Sequence, residues 1–351
     1  MAKRKKNPTC IDVAKLAGVS HTTVSFVINN VPGIQISEET RKAVWKAVKE
    51  LNYHPNSMAQ GMRTKSSNTI GLVVHWAVTD FLFNQAVEGV QEAAYQNNYY
   101  TLLCHTKGEQ QREGAYLRYF FEKRLDGIVF ITSTTKQDYS NIEPIFKEKV
   151  PFVIVNCGVE DPRLPAIFID NYQGARMAVI HHYQQGHRRI GIIGTGGLGG
   201  KALSDRCRGY QETMEELGLE PIFPLSYSLP GAFNDQKPRG LQQTEELLNL
   251  PKPPTAIYAT SDLAMFGAFA VANRKGMTIP TDLALVGNDN YLTCEHLYPA
   301  LSSVEQPLYK AGKEAVRILL EMLKEGNAKP QQLILHPKLI VRESSLMDEI
   351  R

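Results

Sequence analysis

The stretch TCIDVAKLAGVSHTTVSFVINN, residues 9–30, decides how this chain is read. In its first half Val13, Leu16 and Ala17 fall on one side of a short helix that Gly18 breaks, and Ser20 is placed to cap a second helix running to about Asn29. Thr9 followed three residues later by Asp12 gives the first helix a capping-box-like start. Two short helices around a glycine make a helix-turn-helix candidate. Along the second helix Val24, Val27 and Ile28 form an apolar stripe, while His21, Thr22, Ser25, Phe26 and Asn29 fall on the opposite side. A Phe turned outward among His, Thr and Asn has no core to serve and suits a face that reads nucleic acid, by apolar contact with a thymine methyl or the sugar edge.

Charge points the same way. The chain of 351 residues carries a net charge of +3, but residues 1–68 hold eleven Lys or Arg against four Asp or Glu, and the remainder holds 28 against 32. A small basic head on a mildly acidic body fits a head that meets phosphate and a body that does not. Lys3, Arg4, Lys5 and Lys6 alone would read as a solvated tail; beside a helix-turn-helix they argue for DNA. After the turn at residues 29–33, Ser37 with Glu38 and Glu39 opens a third helix, whose Ala43, Val44, Ala47, Val48 and Leu51 make a stripe to pack on the first two. At 43% apolar content the rest of the chain can fill ordinary cores. No apolar run reaches the roughly 18 residues of a membrane span, and the start MAKRKKNP has no apolar stretch for a signal peptide, so a cytoplasmic location is expected. Five scattered cysteines without a CxxC pair argue against a disulfide frame and a zinc site.

The residues Thr9, Asp12-Val13-Ala14, Ala17-Gly18-Val19-Ser20, Thr23-Val24-Ser25 and Asn29, followed by Leu51-Asn52-Tyr53-x-Pro55-Asn56, resemble the N-terminal signature of the lac repressor (LacI/GalR) family of bacterial transcriptional regulators. The resemblance implies that the second helix enters the major groove, with His21, Thr22 and Phe26 in the base-choosing positions and Thr9, Ser20, Thr23, Ser25 and Asn29 as a set that positions phosphates. Ser20 is needed as a cap in any case, and Thr23 could simply complete that helix start. Residues 56–68, NSMAQGMRTKSSN, are too short and polar to be a stable helix alone. In the family this stretch is a hinge that becomes helical on the operator and inserts an apolar side chain into the minor groove; Met62 matches that position, with Asn56 and Ala59 beside it, where the family more often has Leu. Gly61 before it costs roughly 1 kcal/mol of helix stability relative to Ala, which implies a hinge that depends on DNA for its order.

From Ile70 onward short apolar runs alternate with longer amphipathic ones, the pattern of parallel sheets wrapped by helices. Strands are expected at 69–75, 100–104, 127–131, 152–155, 167–169, 190–194, 256–259 and 283–287. Helices are expected near 82–97, 109–124, 172–186, 202–217, 240–249, 262–275 and 307–325. The motifs Gly186-His187-Arg188-Arg189-Ile190, Arg206-x-x-Gly209-Tyr210, Asp262-x-Ala264-x-x-Gly267 and Val286-Gly287-x-Asp289 extend the resemblance across this body. The expected architecture is α/β: a three-helix head (1–55), a hinge helix and linker (56–68), and two doubly wound parallel-sheet lobes similar to a type I periplasmic binding protein (69–345). The first lobe is expected at about 69–163 and 293–325, the second at about 164–290 and 328–345.

Ligands of open α/β sheets sit beyond the carboxyl ends of strands. There lie His75 and Trp76 with Phe81 and Phe83 behind them, then Asn156, Asp170, Ser261 with Asp262, and Asp289. By resemblance Arg206 and Asp289 form the effector pair and Phe83 stacks on the ligand. An Arg, a carboxylate and flat aromatics suit a sugar or sugar derivative. Asp262 reads better as a helix cap than as a ligand contact, and Trp76 could equally be core. Gly194-Thr195-Gly196-Gly197-Leu198-Gly199 satisfies GxGxxG after a strand, but the acidic candidates twenty residues on, Glu215 and Glu216, lie inside a helix, so a flexible cleft loop is the preferred reading over NAD. HExxH, GxSxG and GxxxxGK motifs are absent, and His181-His182 reads as a surface pair on a helix.

These readings converge on a homodimeric DNA-binding regulator, a repressor by resemblance, that binds a palindromic operator under control of a small molecule, with no cofactor, no metal and no enzymatic activity. A solute-binding protein, an NAD-linked enzyme and a regulator answering to a protein partner are the rivals. Met62→Ala is expected to weaken operator binding in an anisotropy titration with little change in effector affinity; unchanged operator affinity would remove the wedge role.

Overall fold

The computed structural model describes residues 8–29, 31, 33–53, 66–75, 81–123, 125–131, 145, 147–155, 161, 163–194, 201–227, 236–326 and 330–347. The expected hinge helix, with Asn56, Ala59 and Met62, lies outside the described residues, as do Trp76 and Asn156. The chain divides into two compact units, residues 1–67 and 68–351.

In the first unit, α1 (Cys10–Ala17), α2 (His21–Ile28) and α3 (Glu38–Glu50) follow the capping signals. Thr9 and Asp12 form a full capping box, and Gly18 ends α1 in the left-handed conformation at φ 67°, which glycine adopts without steric cost. The Ser20 hydroxyl accepts from the Thr23 amide and the Ser37 hydroxyl from the Thr40 amide. Val13, Ala14, Val24, Val27, Val44 and Ala47 make the core. Leu16, expected on that core, is exposed: the buried face of α1 is centred on Val13 and Ala14, one turn position away.

The second unit holds two sheets. The first has the order β10-β5-β4-β3-β1-β2, built from β1 (Thr69–Val74), β2 (Tyr100–His105), β3 (Gly127–Ile131), β4 (Phe152–Val155), β5 (Ala166–Ile169) and β10 (Gln332–Leu335), all paired in parallel. The second has the order β11-β9-β8-β7-β6, from β6 (Ile190–Ile193), β7 (Ala256–Ala259), β8 (Ala284–Asp289), β9 (Ser302–Glu305) and β11 (Lys338–Ile340), with only β11 antiparallel. The inner strands are apolar throughout because parallel strands are covered on both faces. The covering helices are α4 (Phe81–Gln96), α5 (Gln110–Lys123), α6 (Asn171–Gln184), α7 (Lys201–Glu216), α8 (Gln236–Leu248), α9 (Asp262–Arg274) and α10 (Leu308–Glu325). Helices α4 and α10 cross at Gly89 and Gly312, where a Cβ on either would meet the other helix's backbone at the Tyr309 and Ala86 carbonyls.

The sheets cut the body differently from the expected lobe bounds. Strands β5 and β10, expected in the second lobe, complete the first sheet, and β9, expected in the first, belongs to the second. The chain thus crosses between sheets after β5, after β9 and after β10, and the short runs at 302–305, 332–335 and 338–340 were too brief and polar to be foreseen as strands. His181 and His182 are also buried instead of lying on the surface. They face the second sheet, where His182 Nε2 meets the Ile257 carbonyl at 3.2 Å, His181 Nε2 the Ser345 hydroxyl at 2.8 Å, and the nearby His187 Nδ1 the Thr255 hydroxyl at 2.9 Å.

Burial, and after it the charges of His187 and His181, holds the His182 imidazole well below its ordinary value. The unfolded chain therefore binds more protons than the folded one once the pH falls below about 6.5, and stability falls with it by up to about 1.4 kcal/mol per pH unit for each such histidine. Thermal unfolding at pH 7.5 and 5.5 should show this loss in the wild type and a smaller one in His182→Gln; equal losses would contradict the assignment.

Candidate functional site

Each compact unit presents one set of polar side chains. On α2, the Ser20 hydroxyl lies 2.9 Å from that of Thr23, and Thr9 is engaged with Asp12 at the start of α1, so these three residues tie down the two helix starts. His21 and Thr22 are exposed in the first turn of α2, and Ser25, Phe26 and Asn29 are half-buried. Their spacing puts all five on one side of the helix, opposite Val24 and Val27. The Asn29 side-chain amide donates to the Ser25 carbonyl at 2.6 Å, which fixes the end of that row. The helix itself contains no charged residue.

In the second unit the centre is an ion pair, Arg206 Nη1 to Asp289 Oδ1 at 3.3 Å, with both side chains buried at 7% and 3% exposure. Arg206 projects from α7; its Nε donates to Asn171 Oδ1 at 2.8 Å and its Nη1 to the Thr260 carbonyl. Asn171 is held by donating to the Ile169 carbonyl at 3.1 Å. Asp289 ends β8 with φ 116°, followed by Asn290 at φ 51°, two non-glycine residues in the sparsely populated left-handed half of the map. Such conformations persist where surrounding contacts over-determine them, and they cluster at ligand sites. Here Asn288 Nδ2 donates to Asp289 Oδ1 at 2.9 Å, Gln306 Nε2 donates to the same oxygen, and Tyr258 fixes Asn288 through a 3.2 Å hydrogen bond. Among the described residues nothing accepts from Arg206 Nη2.

The other expected ligand residues fall into place around or apart from this pair. Ser261 adjoins Thr260 and caps α9 through the Leu263 amide, at 3.1 Å. Asp262, read from sequence as that cap, instead lies one residue inside the helix. It is wholly buried and accepts from the Tyr291 amide, the Ser303 hydroxyl and the Cys294 thiol. Burial first, and the charge of Asp289 second, push its carboxyl up to about 7. Asp170 adjoins Asn171, caps α6 through the Gln173 amide and lies 3.3 Å from His336 Nδ1. His75 belongs to the first sheet's side, 3.6 Å from Glu113, where burial and then the charge of His105 lower its pKa. Phe83, expected to stack on a ligand, is packed in the core of the first sheet at 5% exposure, because it follows Leu82 into that core. Phe81 opens α4, and its side chain lies outside the described residues. Of the GxGxxG run, Gly194 is described, with its amide donating to Gln243 Oε1 at 2.6 Å. Sequence reasoning missed Asn171, Asn288 and Gln306. Each is a polar residue at or next to a strand's carboxyl end, but Gln306 was hidden because β9 was not recognised.

Residues 9–56 match the family model described as bacterial regulatory proteins, lacI family, and residues 179–345 match a periplasmic binding protein-like domain. A relative described as HTH-type transcriptional repressor PurR, from Actinobacillus pleuropneumoniae serotype 3 (strain JL03), is 33% identical over 338 residues, covering 96% of this chain and 98% of its own. The solved complex of the transcriptional regulator CelR with cellobiose is 30% identical, with a TM-score of 0.69 over 96% of this chain and 99% of that one. The lac repressor dimer bound to operator and the anti-inducer ONPF is 25% identical, with a TM-score of 0.82 over 97% and 100%.

Removing one partner of a buried ion pair strands the other charge, at a typical cost of about 3–5 kcal/mol. Asp289→Asn should therefore lower the unfolding free energy of the body, obtained from urea titration, by an amount of that order, while a value unchanged from wild type would mean that the pair is not made.

Proposed function

Because the chain belongs to the lacI family of bacterial regulatory proteins, a family of DNA-binding transcriptional repressors with an effector-binding domain, we infer that it reads a palindromic operator as a homodimer and releases or tightens it when a small hydroxylated molecule binds the body. It is not an enzyme. On the DNA side, His21, Thr22 and Phe26 choose bases, and Thr9, Ser20, Thr23, Ser25 and Asn29 set the register on the backbone. The single-sided row of His21, Thr22, Ser25, Phe26 and Asn29 on an uncharged α2 supports a base-reading face, since a helix without cations discriminates by base edge and not by bulk attraction. Asn56, Ala59 and Met62 are assigned to the minor groove on the sequence alone. The pairing of two copies is supported by the likeness to the lac repressor, which is solved as a dimer bound to operator.

The observation that carries the effector assignment is the buried Arg206–Asp289 pair, with no acceptor for Nη2 of the guanidinium among the described residues. A guanidinium donor beside a carboxylate acceptor matches vicinal hydroxyls, which need one of each, and the CelR relative is known in complex with a disaccharide. We assign His75, Asp170 and Ser261 to the rest of the pocket, and Trp76, Phe81 and Asn156 to it on the sequence alone. Phe83 contributes only by supporting its wall from the core. A sugar is the ligand class this chemistry favours, although the same donor and acceptor also match a nucleobase edge.

A thermal-shift screen with sugars in one arm and nucleobases in the other tests the assignment. The true effector at 100 times its dissociation constant adds about 2.7 kcal/mol of stability to the wild type. Arg206→Ala should abolish that shift and the effector's influence on operator binding. A variant that still responds would remove Arg206 from the site, and a shift confined to the nucleobase arm would replace the sugar reading.

A further inference from the structure

The recognition helix leaves a question of charge. Binding a duplex with one negative charge per about 1.7 Å requires cations, and α2 carries neither Lys nor Arg. Among the described residues of the head the cations are Lys15 on α1 and Arg41, Lys42, Lys46 and Lys49 on α3, and residues 41–49 contain no acid. The acids of α3 sit at its ends: Glu38 and Glu39 in the first turn, where they complement the helix dipole, and Glu50 at the last position. Among the described residues no ion pair within 4 Å joins Lys42, Lys46 or Lys49 to an acid.

The same three lysines surround a large aromatic. Trp45 is 50% exposed, on the side of α3 turned away from the buried Val44 and Ala47. Lys42 lies three residues before it and Lys49 four after, so both flank the indole one turn away on its own face, with Lys46 alongside. An exposed indole within a ring of unpaired ammonium groups suits a partner that is anionic and also offers a flat apolar surface. The sugar–phosphate wall of a duplex provides both, with phosphates for the lysines and the indole N–H, and deoxyribose for the ring. This face points away from the core that α3 shares with α1 and α2, and the polar row of α2 points away from the same core on a different helix, which favours separate contacts for the two faces.

We propose that the outer face of α3, formed by Lys42, Trp45, Lys46 and Lys49, is a second, sequence-independent contact for duplex DNA, and that it holds a duplex other than the one read by α2. The proposal rests on α2 being the groove-reading helix. Its consequence is that the protein touches two DNA segments at once and can pass between them without first becoming free.

The test uses the full-length protein. An operator duplex is selected from a randomised pool with the protein itself, and a mixed-sequence 20-base-pair duplex serves as the non-operator probe. Tryptophan fluorescence and probe anisotropy are followed as the probe is added to free and to operator-saturated protein. The proposal expects the probe to quench fluorescence and to bind in both states, with affinity in the micromolar range typical of non-specific binding. Trp45→Phe should lose the quenching, and the Lys42→Gln, Lys46→Gln, Lys49→Gln triple variant should lower the salt slope by about 3 while it still binds operator. Quenching that disappears once operator is bound, or a slope unchanged in the triple variant, overturns it. No probe binding in any state, which would leave the face to an acidic protein partner, overturns it as well. If selection yields no operator, the reading of α2 fails separately, and the free protein's quenching and salt slope alone decide whether α3 holds DNA.

Discussion

Burying a guanidinium is costly unless acceptors meet its donors, and the second lobe is arranged around supplying them to Nε and Nη1 of Arg206. The penalty of burying a charge is several kcal/mol, and it is offset here by Asp289, the Asn171 side chain and the Thr260 carbonyl, which come from three separate elements. Each of these is held in turn: Asn171 by the end of β5, Thr260 by its amide on the Ile193 carbonyl, and Asp289 by Gln306 and by Asn288, which Tyr258 fixes. The unfavourable φ at Asp289 is part of the same arrangement, since it lets a carboxylate at the end of β8 reach the arginine. The site is therefore preorganised before any ligand arrives, so binding loses less to ordering of side chains.

The first sheet and the head work under looser constraints. The head's core is six small side chains supporting about fifty residues, a size at which folding is marginal without a partner. The body's two sheets are separate hydrophobic clusters linked by three chain crossings, after β5, β9 and β10. Sheets joined by three crossings, with Tyr291 packed against both cores, can change their mutual angle at the cost of few contacts, and an effector that prefers one angle shifts the population toward it. An effector bound at Arg206 and an operator bound at α2 would then bias one shared equilibrium, with a coupling that must be reciprocal.

Much of this was legible in the residues themselves. Caps and glycines placed α1, α2 and α3 to within about a residue, since Thr9, Ser20 and Ser37 are recognised by local chemistry alone. The long apolar strands were also plain. What escaped was non-local: β9, β10 and β11 are three or four residues long, with polar side chains, and are strands only because a neighbouring strand offers them a ladder. Missing them moved the lobe boundaries and concealed Gln306. His181 and His182 were misplaced because a polar pair in a helix says nothing of the Ser345 and Ile257 acceptors far away in sequence. Asp262 and Phe83 show the same limit, since both are taken up by partners that only the folded chain brings near.

The central claim is that pocket and operator are coupled through one equilibrium. Calorimetric titration of the effector into the protein, alone and saturated with operator duplex, measures it directly. The account predicts that operator changes the effector's dissociation constant by the same factor by which effector changes the operator's, a factor of about 5 to 150 for a coupling of 1–3 kcal/mol. An effector affinity that is identical with and without operator would contradict it.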